Sequence, residues 1–245
     1  MVKKWAIAFS ILVLSFSFYK ISQASVEGIM LSEFNEDTVL RKSLTKEPKK
    51  QLDSIVILPE APFNQKEAAN IISRLSLLPD TLLDQIVDKD IKVKLFEGKL
   101  TKNPTASHLS GLIPRGYQTK ITWDDVPGIG GGSLVLVKIG SSEKGKGHGS
   151  VNLELHELAH SIDKFILHEV KYNRLFLDAW EEERADLFPG RSYFLLFPEE
   201  YFAECFAMYY LNDSTKKTLF EHAPKTYLFI NKINEKRFPN PLINH

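Results

Sequence analysis

Two histidines and one glutamate stand in a segment whose apolar residues recur at helical spacing, between positions 151 and 165. On a helix with 3.6 residues per turn, His156 and His160 lie one turn apart on the same face, so their nitrogens can reach one ion at about 2.0–2.1 Å. Glu157 lies at the edge of that face, where it can take a proton from an activated water without becoming a ligand. Gly149 and Ser150 are the predicted N-cap. The pattern predicts one Zn²⁺ ion per chain, because two neutral imidazoles and a carboxylate suit a tetrahedral catalytic site with one position left for water.

A third ligand must come from elsewhere, because Asp163 and Ile166 occupy the glycine and histidine positions of the longer metalloprotease pattern. A second helix is predicted to begin at Pro198, and it places Glu200 and Glu204 one turn apart. Glu200 is the predicted ligand, and Glu204 is predicted to accept a hydrogen bond from the other ring nitrogen of a ligating histidine. A solvated acidic face is the alternative that composition alone favours. The histidine helix reverses that preference, since two histidines alone make an incomplete catalytic zinc site.

Three motifs carry a resemblance to a known family: HELAHSID at 156–163, GRSYFLLFPEEYFAECF at 190–206 and HAPKTYLFIN at 222–231. In this order they resemble the catalytic domain of anthrax toxin lethal factor and the related secreted Pro-Pro endopeptidases. The resemblance implies zinc ligands at His156, His160 and Glu200, and a general base at Glu157. It also implies that Tyr193, seven positions before the third ligand, stabilises the oxyanion of the tetrahedral intermediate. The residues alone would equally allow a core tyrosine there, and Asp163 receives no firm role.

The predicted fold is an α+β, zincin-like metalloprotease domain, mostly helical, with a small mixed sheet whose edge strand flanks the cleft. Residues 133–139 form the clearest strand, and this strand or its neighbour is predicted to pair with an extended substrate. The glycines before it are predicted to form a mobile loop over the cleft, although a hairpin connection without a substrate role fits equally well. The predicted substrate contacts are Gly130, Gly131, Gly132, Ser133, Leu134 and Val135.

Periodicity also predicts the other elements in outline. Strands are expected at 54–58, 91–95 and 119–123. Helices are expected to begin at Asn64 and Asp80, and two closing helices at Ser214 and Pro224.

Residues 1–24 have the features of a secretory signal peptide: lysines at 3 and 4, an apolar run from 5 to 18, and Ser22-Gln23-Ala24 as a cleavage site. The apolar run is short for a membrane span, which makes an uncleaved anchor the minority interpretation. Cys205 is the only cysteine, so no intrachain disulfide can form, and it is predicted to be a small core residue. The formal net charge of +0 gives no indication of nucleic-acid binding.

The predicted organisation is a signal peptide at 1–24, a polar linker or arm at 25–51, with a pro-segment as an unsupported alternative, and a lethal-factor-like zinc metalloprotease domain at 52–245. The predicted function is that of a secreted zinc endopeptidase acting on extracellular or surface proteins. The resemblance leaves two kinds of substrate open, the Pro-Pro bonds of bacterial surface proteins and host signalling proteins. Its expected partner is a protein or peptide substrate, without stable membrane insertion after signal cleavage, and a monomer is favoured. The alternative is a non-catalytic docking module of the same fold, and a purely structural zinc protein is the third interpretation.

Overall fold

A computed structural model describes residues 26–115 and 120–234 of the chain. The strands within these ranges are β1 Ile29–Met30, β2 Val56–Leu58, β3 Lys92–Phe96, β4 Gly128–Ile129 and β5 Leu134–Lys138. The helices are α1 Val39–Ser43, α2 Leu52–Ile55, α3 Gln65–Leu75, α4 Asp80–Asp88, α5 Leu153–Phe165, α6 Arg174–Leu187, α7 Ser192–Leu196, α8 Pro198–Leu211, α9 Asp213–His222 and α10 Pro224–Ile233. Short 3₁₀ turns occupy Leu31–Glu33, Leu100–Lys102, Pro104–Leu109 and Val170–Tyr172.

The five strands form one small mixed sheet in the order β1-β2-β3-β5-β4. The three central strands are parallel, whereas β1 and β4 join the two edges in antiparallel orientation. Parallel strands need crossover connections. Helices α3 and α4 supply the one from β2 to β3, whereas the described part of the connection from β3 to β5 contains 3₁₀ turns and β4. The prediction of a mostly helical protein with a small mixed sheet is confirmed. Among the described residues, no helix combines the length and the apolar character needed to cross a membrane.

The two faces of the sheet bury different side chains. Val93 and Val135 point into the main core with the helices, whereas Phe96 and Leu136 pack on the opposite face against Leu100. The alternation follows from the two-residue period of a strand. The second, smaller core supports the segment that leads towards β4.

Helices α5 and α8 pack against each other at the centre of the protein. Every residue of α8 from position 200 to position 209 is buried. Pro198 occupies the first turn of α8, as predicted. The N-cap of α5 is Asn152, whose side chain accepts a hydrogen bond from the backbone N–H of Leu155. The predicted cap at Gly149 and Ser150 was therefore wrong, since the cap lies two residues beyond Ser150.

Several sequence-based assignments need correction. The segment 26–51 is not simply a polar linker, because β1 pairs with β2 and because Leu31 and Leu40 are fully buried in the main core. Residues 120–123 lie outside the strands, and Trp123 instead donates its backbone N–H to Leu112 O at 2.8 Å. The expected strand at 54–58 begins as α2 and becomes a strand only at Val56. The predicted signal peptide and the last residues of the predicted domain lie outside the described ranges and stay predictions.

Candidate metal centre

Helices α5 and α8 bring three ligand atoms together at the cleft. Glu200 Oε2 lies 3.5 Å from His156 Nε2 and 3.3 Å from His160 Nε2, and the three atoms all lie within 4.8 Å of one another. Two bonds of about 2.0–2.1 Å at a tetrahedral angle separate their ligand atoms by about 3.3–3.4 Å. The spacing of these side chains therefore fits a zinc ion, and the helical register of each element produces it: His156 and His160 are one turn apart on α5.

Glu204 lies beneath this triad, fully buried. Its Oε2 atom is 3.2 Å from His156 Nδ1, and its Oε1 atom accepts the backbone N–H of Val151 at 3.1 Å. A carboxylate can only accept hydrogen bonds, so His156 Nδ1 must carry the proton. The lone pair available for a metal is then on His156 Nε2, which is the nitrogen that faces Glu200.

The charges of the site shift the pKa values of its groups. Burial acts to lower the pKa of His156, but hydrogen bonds to Glu200 and Glu204 outweigh it and raise this pKa to about 10. Burial acts in the opposite sense on Glu200, yet the two histidines hold the pKa of this carboxyl well below its usual range. In the metal-free protein a positively charged His156 therefore faces an ionised Glu200. A metal ion must displace a proton from this pair.

The triad opens onto a cleft of about 1150 Å³ whose lining includes both other residues with predicted catalytic roles, Glu157 and Tyr193. Glu157 follows His156 on α5 and is half-buried. Tyr193 is carried by the short helix α7, seven residues before Glu200. Burial, the charge of Glu200 and a hydrogen bond to that carboxylate raise the pKa of Tyr193, so its hydroxyl keeps its proton and remains a hydrogen-bond donor.

The edge of the sheet beside the cleft is β4. The strand singled out from the sequence, β5, lies one position further in, between β3 and β4. Among the predicted substrate contacts, Gly130 and Gly131 line the cleft, whereas Ser133, Leu134 and Val135 lie outside its lining, with Val135 in the core. Gly132 also lies outside the lining, and its carbonyl accepts a hydrogen bond from Ser161 Oγ on α5 at 2.8 Å. The glycine loop is therefore fastened to the metal-site helix.

Asp163, which the sequence left without a role, holds the turn after α5. Its Oδ1 atom accepts the backbone N–H of Val170 at 2.6 Å, and its backbone carbonyl accepts that of Glu169 at 2.9 Å. Both His168 and Glu169 have positive φ angles, so this turn needs such support. Burial raises the pKa of Asp163 to about 6.

Three residues of the cleft were missed by sequence reasoning. Arg115 reaches across it to Glu199 at 2.9 Å and lies over the ring of Phe197 at 4.2 Å. Arg191 donates to Gly149 O at 3.0 Å, and its other terminal nitrogen lies 3.9 Å from Glu204 Oε1. His148 lines the cleft, and its Nε2 atom lies 2.7 Å from Ser141 O, within hydrogen-bonding distance. Of the three, Arg191 could have been found from the sequence, because it lies inside the second of the three family motifs, at 190–206.

The chain is similar to known proteins over most of its length. Residues 43–233 match the family described as anthrax toxin lethal factor, N- and C-terminal domain. A Pro-Pro endopeptidase from Paenibacillus alvei is 41% identical over 183 residues, which span 74% of this chain and 84% of that protein. A Pro-Pro endopeptidase from Clostridioides difficile (strain 630) is 36% identical over 209 residues, which span 85% of this chain and 92% of that protein. A solved structure of a Pro-Pro endopeptidase from Paenibacillus alvei aligns with a TM-score of 0.71 at 40% identity, covering 75% of this chain and 100% of that one. The resemblance drawn from the three motifs is confirmed.

Proposed function

Because this chain belongs to the anthrax toxin lethal factor family, N- and C-terminal domain, we propose that it is a zinc-dependent endopeptidase directed at Pro-Pro bonds. The observation that carries the proposal is the triad of His156, His160 and Glu200, whose nitrogen-to-oxygen distances of 3.5 and 3.3 Å fit a tetrahedral ion. The relatives named Pro-Pro endopeptidases, at 41% and 36% identity, support the reaction and the bond type.

The roles of the surrounding residues follow from their positions around the triad. Zinc, when bound, would supply Lewis acidity and make water nucleophilic at neutral pH. Glu157 is then the general base: its carboxylate takes the proton of the attacking water and later delivers it to the leaving amine. The protonated hydroxyl of Tyr193 donates a hydrogen bond to the oxygen on which negative charge develops. Glu204 fixes the ring of His156 through Nδ1.

The substrate is proposed to lie along β4 in a zincin-like arrangement. Lys138 N donates to Pro127 O at 2.8 Å, and Gly128 is opposite Val137 in the antiparallel register. Hydrogen-bonded and non-bonded pairs alternate in such a ladder, so the backbone groups of Gly128 point away from β5 towards the open edge. An extended peptide can pair with them there. The strand proposed to pair with the substrate is therefore β4, which lies one position further out than β5.

The protein is further proposed to be exported and to act on extracellular or surface proteins. The support is the composition of residues 1–24 and the single cysteine of the chain. Sequencing the N-terminus of the protein recovered from culture medium tests this proposal. A start at Ser25 is expected, whereas recovery of the intact chain only from cells would contradict it.

The function is tested with quenched fluorescent peptides that contain one Pro-Pro bond, alongside peptides with Pro-Ala or Ala-Pro at the same place. We expect cleavage between the two prolines, mapped by mass spectrometry, in the zinc-loaded protein. Glu157→Gln should keep its zinc and lose activity, because the amide cannot accept the proton. Glu181→Gln is the matched control, since this exposed glutamate of α6 lies outside the cleft.

Each result has a separate consequence. Cuts at other bonds would reject the Pro-Pro preference but leave the endopeptidase reaction in place. Intact peptides and intact protein substrates, despite one bound zinc per chain, would reject catalysis and favour a docking module. Full activity in Glu157→Gln would reject the general-base assignment.

A further inference from the structure

The backbone of β4 and of the residue that follows it lies directly against the proposed general base. A Cβ atom built on Gly128 would stand 2.9 Å from Glu157 Cγ and 3.0 Å from Leu153 Cδ1. A Cβ atom on Gly130 would stand 1.9 Å from the backbone oxygen of Glu157. Contacts below 3.0 Å, such as these two to Glu157, essentially never occur in packed proteins, and the contact to Leu153 would also be tight. At both positions the absence of a side chain is what allows the sheet edge to approach α5.

The two glycines differ in what they touch. Gly130 approaches the helix backbone, so a side chain there would separate the strand from the helix. Gly128 approaches the side chain of Glu157, so a methyl group there would displace the carbon that carries the carboxylate. Neither position has a positive φ angle, so steric contact and not backbone strain decides what a side chain would do.

The loop after β4 is held in place independently. Gly131 N donates to Ser161 Oγ at 3.1 Å, and Ser161 Oγ donates to Gly132 O at 2.8 Å. Ser161 lies on α5 and is fully buried. Two hydrogen bonds through one hydroxyl thus hold the loop against the helix that carries Glu157. These bonds oppose a movement of β4 away from that helix when a bulkier residue is introduced.

We propose that Gly128 and Gly130 are positioning residues for Glu157: the bare backbone of the sheet edge forms a wall that fixes the orientation of the general-base side chain. The inference rests on the proposed endopeptidase function. Proton transfer by a general base requires its carboxylate within about 2.6–3.2 Å of the proton donor. A wall on one side of Glu157 excludes those rotamers of the side chain that would cross the sheet edge.

The test is Gly128→Ala, with Gly132→Ala as the matched control. Gly132 has an ordinary φ angle, and a Cβ atom there would find its nearest neighbour at 3.5 Å, which is normal contact. Glu157 Cγ must move by roughly half an ångström to relieve the contact at Gly128, and a misplacement of about 1 Å costs on the order of 100-fold. We expect kcat of Gly128→Ala to fall by about 10- to 100-fold, with KM, zinc content and Tm close to the wild-type values. Gly132→Ala should retain the wild-type kcat.

Several outcomes would overturn the inference. Equal kcat in Gly128→Ala and Gly132→Ala would show that Gly128 does not position Glu157. A higher KM with unchanged kcat would show that the side chain added at residue 128 disturbs substrate pairing and leaves Glu157 in place, which contradicts the positioning role. Gly130→Ala adds a second measurement: its backbone contact predicts a lower Tm by circular dichroism, and an unchanged Tm would contradict the geometry. If the wild-type protein cleaves nothing, the proposed function fails before this comparison begins, so the two failures are distinguishable.

Discussion

Replacing Glu204 by glutamine should weaken zinc binding through a residue that does not touch the metal. The Glu204 carboxylate has no exposed surface and accepts from His156 Nδ1 and from Val151 N. The two bonds involve different oxygens of the carboxylate. The glutamine side chain has only one oxygen, so it can accept only one of them. If its oxygen stays with Val151, its NH₂ group faces His156 Nδ1 and favours the tautomer in which Nδ1 is the acceptor. The proton then moves to Nε2, the nitrogen required by the metal.

The size of the effect follows from what is lost. Removing the partner that orients a ligating histidine typically lowers metal affinity by about 10- to 100-fold, which corresponds to about 1.4–2.7 kcal/mol. Glu204→Ala should lose as much zinc affinity and, in addition, about 1–3 kcal/mol of stability, because the Val151 N–H then has no acceptor. The glutamine variant therefore isolates the effect on the metal from the effect on folding.

Competition with a chromophoric chelator measures the zinc affinity, and calorimetry of the zinc-free protein measures stability. The matched control is Glu183→Gln, which changes another buried glutamate. Glu183 accepts from Lys225 N, Thr226 N and Thr226 Oγ1 at the start of α10. This control should lower Tm and leave zinc affinity unchanged. Wild-type zinc affinity in Glu204→Gln would refute the orienting role of Glu204.

Three further predictions concern other residues of the site. Tyr193→Phe should lower kcat by about 10²–10³ while zinc content stays at one per chain, and an unchanged kcat in a steady-state assay would reject the oxyanion role. The pKa of His156 is raised from 6.5 to about 10 in the zinc-free protein. The protonated side chain therefore stabilises the folded state, and this contribution is fully present below pH 6.5. This contribution is lost as pH rises towards 10, so calorimetry should show Tm of the zinc-free protein falling across that range, and a flat profile would contradict the assignment. Asp163→Ala should lower the free energy of unfolding in urea by about 1–3 kcal/mol, because the buried Val170 N–H loses its acceptor, whereas Asp163→Asn, which keeps an acceptor oxygen, should lose less.

The parts of the site that could be predicted from the sequence are those fixed by local geometry. A spacing of four residues on a helix determines that His156 and His160 share a face, and it does the same for Glu200 and Glu204 on α8. The N-terminal signal of α3 was also local: the helix starts at the predicted position, with Asn64 as its N-cap accepting a hydrogen bond from the backbone N–H of Glu67. Such features need no knowledge of the rest of the chain.

Features that depend on distant contacts could not be predicted in the same way. Arg115 meets Glu199 across 84 positions, and no periodicity links them. The edge position of β4 depends on β5 pairing with β3 on its other side, and β4 itself is too short to produce an alternating pattern. The residues around Trp123 have the composition of a strand, but Asp124 gathers hydrogen bonds from Thr101, Ser110 and Gly111 and holds them in a loop.

The burial of α8 decides between the two interpretations of its glutamates. A solvated acidic face would leave both carboxylates in water, but Glu204 has no exposed surface and Glu200 only 9%. Buried carboxylates are destabilising unless other groups compensate their charge. Both glutamates of α8 have partners outside that helix. Glu200 faces the two histidines of α5, and the partners of Glu204 are Val151, His156 and Arg191. A structural role for α8 would be served as well by apolar residues, so the two buried carboxylates support the proposed metal site. Glu157 and Tyr193 line the same cleft, where the proposed reaction needs them.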